Sequence, residues 1–202
     1  MIRTLIFGDS VTYGGWDTEG GWVERIKKQA HKITVNTKGN TKIQVFNLGI
    51  GGDTSRKILA RIQNEIEARL SKTWGIKIIL SFGINDERSK DGIIEVPLNE
   101  YQDNIVKIIK IVQSYTKDIL IIDNPPIGDD ILHFKIFEYS NERIQQYNKV
   151  LQDSAKDANI QFISTYELFK KVGKKNLNTY DKLHVNNKGH EIIAHAVKPF
   201  IL

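Results

Sequence analysis

Five short, nearly continuous runs of Ile, Val, Leu and Phe recur along the 202-residue chain. They cover Thr4–Phe7, Ile43–Phe46, Ile76–Phe82, Ile119–Ile122 and Ile160–Ile163. A continuous rather than alternating apolar run is typical of a strand that is buried on both faces, as in a parallel sheet. The runs therefore predict five parallel strands.

Between these runs, apolar residues recur at the three- and four-residue spacing of an amphipathic helix. The four sets are Ile58, Leu59, Ile62, Ile66 and Leu70; Tyr101, Ile105, Ile108, Ile109 and Val112; Ile144, Tyr147, Leu151, Ala155 and Ala158; and Ile192, Ile193, Ala196, Val197 and Phe200. Strands that alternate with helices predict a single α/β domain over residues 1–202, built around a parallel sheet.

Two stretches, 86–98 and 124–139, follow predicted strands directly and fit neither period. In open α/β sheets, the loops after the carboxyl ends of the strands line the active crevice, so we expect substrate contacts here and after the first strand. The candidate contact residues are Tyr13, Trp16, Asp86, His133 and Phe134. Phe137 and Tyr139 are interpreted as packing residues.

The composition is that of a globular protein, with 40% hydrophobic and 26% charged residues. The absence of cysteine excludes disulfides, thiolate metal ligands and a cysteine nucleophile. The net charge of +5 is scattered, and the densest lysine cluster, 170–175, has no interleaved aromatic residues, so no nucleic-acid partner is expected. The first apolar run is too short for a signal peptide or a membrane span, which favours a cytoplasmic location.

Polar segments follow the first three predicted strands, and a fourth lies near the carboxyl end of the chain. The four segments are Gly8–Gly14, Asn47–Thr54, Gly83–Asp86 and Asp181–His184. If the sheet is parallel, the first three converge on one edge. It is this convergence, rather than any single residue, that predicts a functional site.

These segments contain the groups that acyl transfer requires: a nucleophile, a base, a group that orients the base, and donors for the oxyanion. Ser10 is the candidate nucleophile. His184 is the candidate base, because the ordinary pKa of histidine lies near neutrality. Asp181, three residues earlier, is close enough in a helical turn to orient the imidazole. The N–H groups of Ser10 and Gly52 and the side-chain amide of Asn85 are the candidate oxyanion donors.

Two other acidic residues are given structural roles. Asp9 is expected to bond N–H groups of its own loop. Asp53 is expected to cap the helix that begins nearby, although Thr54 and Ser55 are also suitable caps.

Taken together, the four segments resemble the blocks of the SGNH hydrolases, also called the GDSL esterase/lipase family. The matching residues are Ser10, Gly52, Asn85 in Gly-x-Asn-Asp, and His184 in Asp-x-x-His. The resemblance implies a flavodoxin-like, three-layer αβα fold with a five-stranded parallel sheet in the order 2-1-3-4-5. It also implies hydrolysis of small-molecule carboxylic esters or thioesters without a metal or other cofactor. Val11 departs from the Leu of many members, and Lys182 stands where close members have Gly.

Three alternatives remain open at this point. A dinucleotide-binding domain is disfavoured because Thr54 stands where the fingerprint that starts at Gly49 requires Gly or Ala. A metal-dependent phosphoesterase is the second alternative, with candidate ligands Asp9, Asn85, Asp86 and His184. A two-metal site requires a denser set of carboxylates and histidines. The third is a non-catalytic binding module, which would have no use for the complete Ser-His-Asp set.

Overall fold

The computed structural model describes residues 1–128, 136–173 and 177–202. Along these ranges, at least one helix lies between successive strands of the main sheet, as the apolar pattern predicts. The strands are β1 (Ile2–Gly8), β2 (Ile43–Gly49), β3 (Gly75–Ser81), β4 (Ser89–Lys90), β5 (Ile93–Ile94), β6 (Ile119–Ile122) and β7 (Gln161–Ile163). The helices are α1 (Ser10–Tyr13), α2 (Gly21–Asn36), α3 (Ser55–Glu67), α4 (Leu98–Gln113), α5 (Asn141–Asp157), α6 (Thr165–Lys171) and α7 (Asn187–Ile201).

Five of the strands form one parallel sheet in the order β2-β1-β3-β6-β7. Counted among themselves along the chain, these strands have the order 2-1-3-4-5, so the expected topology is confirmed. β1 pairs on both sides, with Ile6 opposite Asn47 of β2 and Ile79 of β3. The strand order reverses between β1 and β3, and in such sheets the ligand crevice opens at the carboxyl ends of these strands.

Both faces of the sheet are covered by helices. On one face, Leu5 and Phe7 of β1 belong to a core that includes residues of α3, α4 and α5. On the other face, Ile6 belongs to a core that includes residues of α2, α6 and α7. Because successive residues of β1 are buried on opposite faces, the strand has a continuous apolar sequence rather than an alternating one.

The two irregular stretches, after β3 and before α5, are joined to each other at the carboxyl edge of the sheet. β4 and β5 form a short antiparallel hairpin within the first stretch. Ser89 exchanges backbone hydrogen bonds of 2.9 and 2.8 Å with Glu138 of the second. Arg143 of α5 donates to the carbonyl oxygens of Glu87 and Glu138. These contacts place both stretches beside the predicted site.

The helices α2 and α6 were not predicted from the apolar pattern. α2 buries Trp22, Val23, Ile26 and Ala30 against the sheet. In the parts of the chain that the structure describes, no helix has the length and apolar character needed to cross a membrane.

The start of α3 also differs from the expectation. The N-cap is Thr54, not Asp53, because the Asp53 carboxylate accepts a hydrogen bond from Arg61 Nε at 2.9 Å. The N–H of Ser55 is bound instead by the Asp86 carboxylate, at 2.9 and 3.1 Å. The capping group of α3 therefore comes from the loop after β3.

Candidate active site

Ser10 lies at a tight turn between β1 and α1. A Cβ added at Gly8 would lie 2.6 Å from the carbonyl oxygen of Ser81, so the chain can turn this close to β3 only with a glycine. The Asp9 carboxylate accepts a hydrogen bond from the Val11 N–H at 3.0 Å, which is the structural role expected for it. The turn holds Ser10 at the carboxyl end of β1.

Asp181 and His184 lie on one turn before α7. Oδ1 of Asp181 accepts hydrogen bonds from the N–H groups of Leu183 and His184, at 3.0 and 2.9 Å. It also accepts one from the Thr179 hydroxyl at 2.7 Å. Burial raises the pKa of Asp181, but the hydrogen bonds from His184 and Thr179 outweigh it and hold the pKa well below its usual range. The carboxylate is therefore ionised at neutral pH.

The imidazole of His184 joins Asp181 to Ser10. Its Nδ1 is 2.7 Å from Oδ2 of Asp181, and its Nε2 is 3.0 Å from Oγ of Ser10. Ser10 and His184 line a cavity of about 340 Å³, which Gly52 and Asn85 also line. The structure thus brings together residues from all four polar segments.

Gly52 and Asn85 come from the loops after β2 and β3. Gly52 has a φ of +79°, in the left-handed region that favours glycine. Nδ2 of Asn85 donates to the carbonyl oxygen of Asp53 at 3.0 Å, and its Oδ1 accepts from Nη1 of Arg88 at 3.4 Å. These two contacts fix the orientation of the amide.

The residues predicted to contact substrate lie in different places. Trp16 lines the cavity. Tyr13 is 57% exposed and lines a different, larger cavity along the open edge of β2, because it lies at the far end of α1. Asp86 is fully buried, with its carboxylate turned towards α3 and away from the cavity. His133 and Phe134 lie outside the described residues.

Three of the cavity-lining residues lie outside the four polar segments and were not assigned to the site from the sequence: Arg88, Phe137 and Tyr139. The guanidinium of Arg88 lies 3.9 Å from the ring centroid of Phe137, and its Nη2 is 3.4 Å from a carboxylate oxygen of Glu95. Phe137 and Tyr139 pack in one buried cluster, as expected, and they also line the cavity. Their position in the sequence could have identified them as cavity-lining residues, since all three lie in the two irregular stretches expected to line the crevice.

Two buried carboxyl groups lie behind the cavity. Burial raises the pKa of Asp9 to about 7 and that of Asp86 to about 7, although hydrogen bonds from Val11 and Ser55 act in the opposite direction. Of the four ligands considered for a metal-dependent phosphoesterase, only Asn85 and His184 line the cavity. Within the described ranges, no three His, Asp or Glu side chains are grouped so as to hold a metal ion.

The sequence profile of the GDSL-like lipase/acylhydrolase family matches residues 6–192. This range takes in the whole sheet except the start of β1, together with all four polar segments. The chain therefore belongs to the GDSL-like lipase/acylhydrolase family, whose members are hydrolases that act on ester bonds. No curated protein sequence matches the chain significantly.

Solved structures similar to the chain have the same fold. A lipase/acylhydrolase from Enterococcus faecalis has a TM-score of 0.77 at 23% identity, over 100% of this chain and 98% of that chain. An acetylxylan esterase from Geobacillus stearothermophilus has a TM-score of 0.75 at 22% identity, over 98% and 93%. A member of the lipolytic protein G-D-S-L family from Veillonella parvula has a TM-score of 0.73 at 21% identity, over 98% and 96%.

Proposed function

We propose that the chain is a serine esterase that cleaves carboxylic esters or thioesters of small molecules through an acyl-enzyme on Ser10. The observation that carries the proposal is the unbroken series of contacts from Asp181 through His184 to Ser10, at 2.7 and 3.0 Å. An ionised carboxylate at Nδ1 fixes the tautomer of the imidazole, which leaves Nε2 to accept the serine proton.

The reaction proceeds in two steps. In the first, His184 Nε2 takes the proton of Ser10 as Oγ bonds to the ester carbonyl carbon. The imidazolium then gives this proton to the leaving alcohol or thiol as its bond to the acyl carbon breaks. In the second step, His184 takes a proton from water as the water oxygen bonds to the acyl carbon. The imidazolium then returns this proton to Oγ of Ser10 as the bond between Oγ and the acyl carbon breaks, which releases the carboxylic acid.

The negative oxygen formed in each step requires hydrogen-bond donors. We assign this role to the N–H groups of Ser10 and Gly52 and to the side-chain amide of Asn85. A Cβ added at Gly51 would lie 4.0 Å from the Cβ of Ser10, so this loop lies beside the nucleophile. The amide of Asn85 uses one N–H on Asp53, and a carboxamide has a second N–H to donate. Loss of one such donor costs about 2.7–4 kcal/mol of transition-state stabilisation.

Similar proteins support the assignment of a serine nucleophile and a histidine base. The Geobacillus stearothermophilus structures are those of an acetylxylan esterase, and a serine variant and a histidine variant of it are described as catalytic mutants. The cavity of about 340 Å³ is at the small end of the range for ligand pockets. Both points support a small ester as the substrate.

The test combines active-site labelling with turnover. Wild-type protein and the Ser10→Ala variant are treated with a fluorophosphonate probe and assayed with p-nitrophenyl acetate, with and without EDTA. Ser154→Ala, which removes a serine of α5 that does not line the cavity, is the matched control. We expect wild type and Ser154→Ala to label and to turn over equally in EDTA, and folded Ser10→Ala to do neither.

Equal turnover in wild type and Ser10→Ala would contradict the acyl-enzyme. Turnover that disappears in EDTA would favour a metal-dependent reaction. A wild-type protein that neither labels nor hydrolyses any of a series of p-nitrophenyl esters and acetylated sugars would favour the non-catalytic alternative.

A further inference from the structure

Trp16 lies flat against the imidazole of His184. The two ring centroids are 3.6 Å apart and the ring planes differ by 4°. His184 is 4% exposed, whereas Trp16, on the loop between α1 and α2, is 39% exposed. One face of the imidazole is therefore covered by an indole that itself borders the solvent.

The indole restricts a motion that the hydrogen bonds of the imidazole leave open. Contacts at Nδ1 and Nε2, to Asp181 and Ser10, hold two edges of the ring. They do not prevent the ring from rocking about the line that joins the two nitrogens. A stacked indole opposes this rocking, because rocking would separate the two faces.

The stack also has an electrostatic consequence. When His184 takes the proton of Ser10, the imidazole becomes a cation in contact with the face of an indole. The face of an aromatic ring carries the negative part of its quadrupole, and tryptophan attracts cations most strongly. Trp16 therefore stabilises the imidazolium more than it stabilises the neutral ring.

The residue that follows Trp16 is firmly anchored. The Asp17 carboxylate, with 1% of its side chain exposed, forms an ion pair with Arg25. It also accepts a hydrogen bond from the Gly21 N–H at 3.0 Å, and Arg25 donates to the Gly21 carbonyl oxygen at 2.9 Å. Gly21 and Arg25 both belong to α2. The loop is thus tied to a helix that packs on the sheet, which gives the indole a defined position.

We propose that Trp16 is a positioning residue for the base: it keeps the imidazole of His184 aimed at Ser10 and stabilises the positive charge that forms there. This inference rests on the esterase function proposed above. It differs from a role in substrate binding, in which the indole would form only a wall of the cavity.

Other titratable groups surround this pair and belong to any interpretation of pH dependence. Those around His184 and Ser10 are Asp181, Asp9, Arg88 and His190, and the Asp17–Arg25 pair lies beside Trp16. Burial lowers the pKa of His190 to about 4, so that this side chain is neutral near neutral pH. A substitution of Trp16 alters none of these side chains. A change of the pH profile between wild type and a Trp16 variant therefore reports on the indole.

The kinetic test compares Trp16→Leu and Trp16→Phe with wild type. Leucine keeps apolar bulk over the imidazole but has no π face, so kcat should fall about tenfold with KM within about twofold. The acidic limb of the kcat/KM profile should move to lower pH, because the imidazolium loses stabilisation. Trp16→Phe should retain an intermediate kcat. Trp74→Leu is the matched control, since Trp74 precedes β3 at the opposite end of the sheet.

A second measurement needs no turnover. A protonated imidazole in contact with an indole quenches its emission, so tryptophan fluorescence should fall as His184 is protonated. The step should be seen in wild type and in Trp74→Leu, and be absent from Trp16→Phe and from His184→Gln. Its midpoint should match the acidic limb of the wild-type kcat/KM profile.

The outcomes separate the inference from the function on which it rests. If wild type shows no such step, or if Trp16→Leu raises KM and leaves the acidic limb in place, the positioning role is overturned while the esterase can stand. If the step is present but no ester is hydrolysed, the proposed function fails, and the catalytic role of Trp16 fails with it.

Discussion

Lys182 has a φ of +62° in the turn that joins Asp181 to His184. A side chain in this left-handed region costs about 1–2 kcal/mol, a cost that glycine does not have. We predict that Lys182→Gly raises the free energy of unfolding by roughly 0.5–1 kcal/mol, because the relief of strain exceeds the roughly 0.4–1 kcal/mol that glycine adds to the entropy of the unfolded chain. Urea denaturation measures the difference.

Lys182→Ala is the control for this prediction. Alanine removes the charge but keeps a Cβ in the left-handed region, so it should give no gain in stability. If alanine stabilises the protein as much as glycine does, the effect comes from the lysine side chain and the backbone argument is wrong.

At the scale of single residues, the sequence was informative where chemistry restricts the residue type. Ser10, Asn85 and His184 stood out because few side chains can act as nucleophile, oxyanion donor and base. The stack of Trp16 on His184 had no such signal, since it joins distant parts of the chain through the path of a loop. Closeness to Ser10 in the sequence made both Trp16 and Tyr13 candidates for substrate contact. Only Trp16 lines the cavity, whereas Tyr13 lies at the edge of β2.

Prediction of the helices from the sequence has the same limit, because some contacts that define them are not local. α2 was missed because its start has no Ser, Thr, Asp or Asn cap: Gly20 precedes it, and both Gly20 and Gly21 have positive φ. The group that satisfies the Gly21 N–H is the carboxylate of Asp17, four residues upstream. A helix capped from outside the usual position has no local start signal.

One contact between elements lends itself to a stability test. Nε of Arg143, in α5, is 2.9 Å from a carboxylate oxygen of Glu87, whose side chain is fully buried. Burial raises the pKa of Glu87 to about 7. At pH 8 the glutamate is ionised, and Arg143→Met leaves it without this partner. We predict a loss of about 3 kcal/mol in the free energy of unfolding at that pH, measured by urea denaturation.

The double variant Glu87→Gln, Arg143→Met should recover most of that loss, because no buried charge is left unpaired. Lys170→Met is the surface control: it breaks an exposed pair with Glu167 and should cost less than about 1 kcal/mol. A double variant as unstable as Arg143→Met alone would show that the loss comes from the carbonyl contacts of Arg143 instead.

For the whole molecule, the parallel sheet followed from the apolar runs and its order from the family resemblance. What the sequence did not indicate was how the loops after β3 and β6 meet, because the Ser89–Glu138 pairing has no periodic signal. That pairing brings Arg88 and Phe137 together at the cavity. The shape of the cavity is therefore a property of the folded chain rather than of any one motif.

Three buried carboxyl groups follow β1 and β3 at the carboxyl edge of the sheet, and their ionisation changes the free energy of unfolding of the whole protein. Burial raises the pKa of Asp9, Asp86 and Glu87 to about 7 each. Between pH 6.5 and 8, the native state therefore holds protons that the unfolded chain has already lost. The free energy of unfolding must then fall as pH rises. We predict a fall of at least about 1 kcal/mol across this window, measured by urea denaturation.

Groups with lowered pKa give the opposite slope. That of Asp181, held below its usual range, lies well below pH 6.5. That of His190, whose pKa falls from 6.5 to about 4, opposes the decline only near the lower end of the window, and one such group does not reverse the effect of three carboxyls. Asp86→Asn removes one titrating group while keeping an oxygen for the Ser55 N–H, and should make the slope shallower. Asp103→Asn, on the exposed side of α4, should leave it unchanged. A wild-type stability that is level or rises from pH 6.5 to 8 would mean that these carboxyls are already ionised in the folded protein.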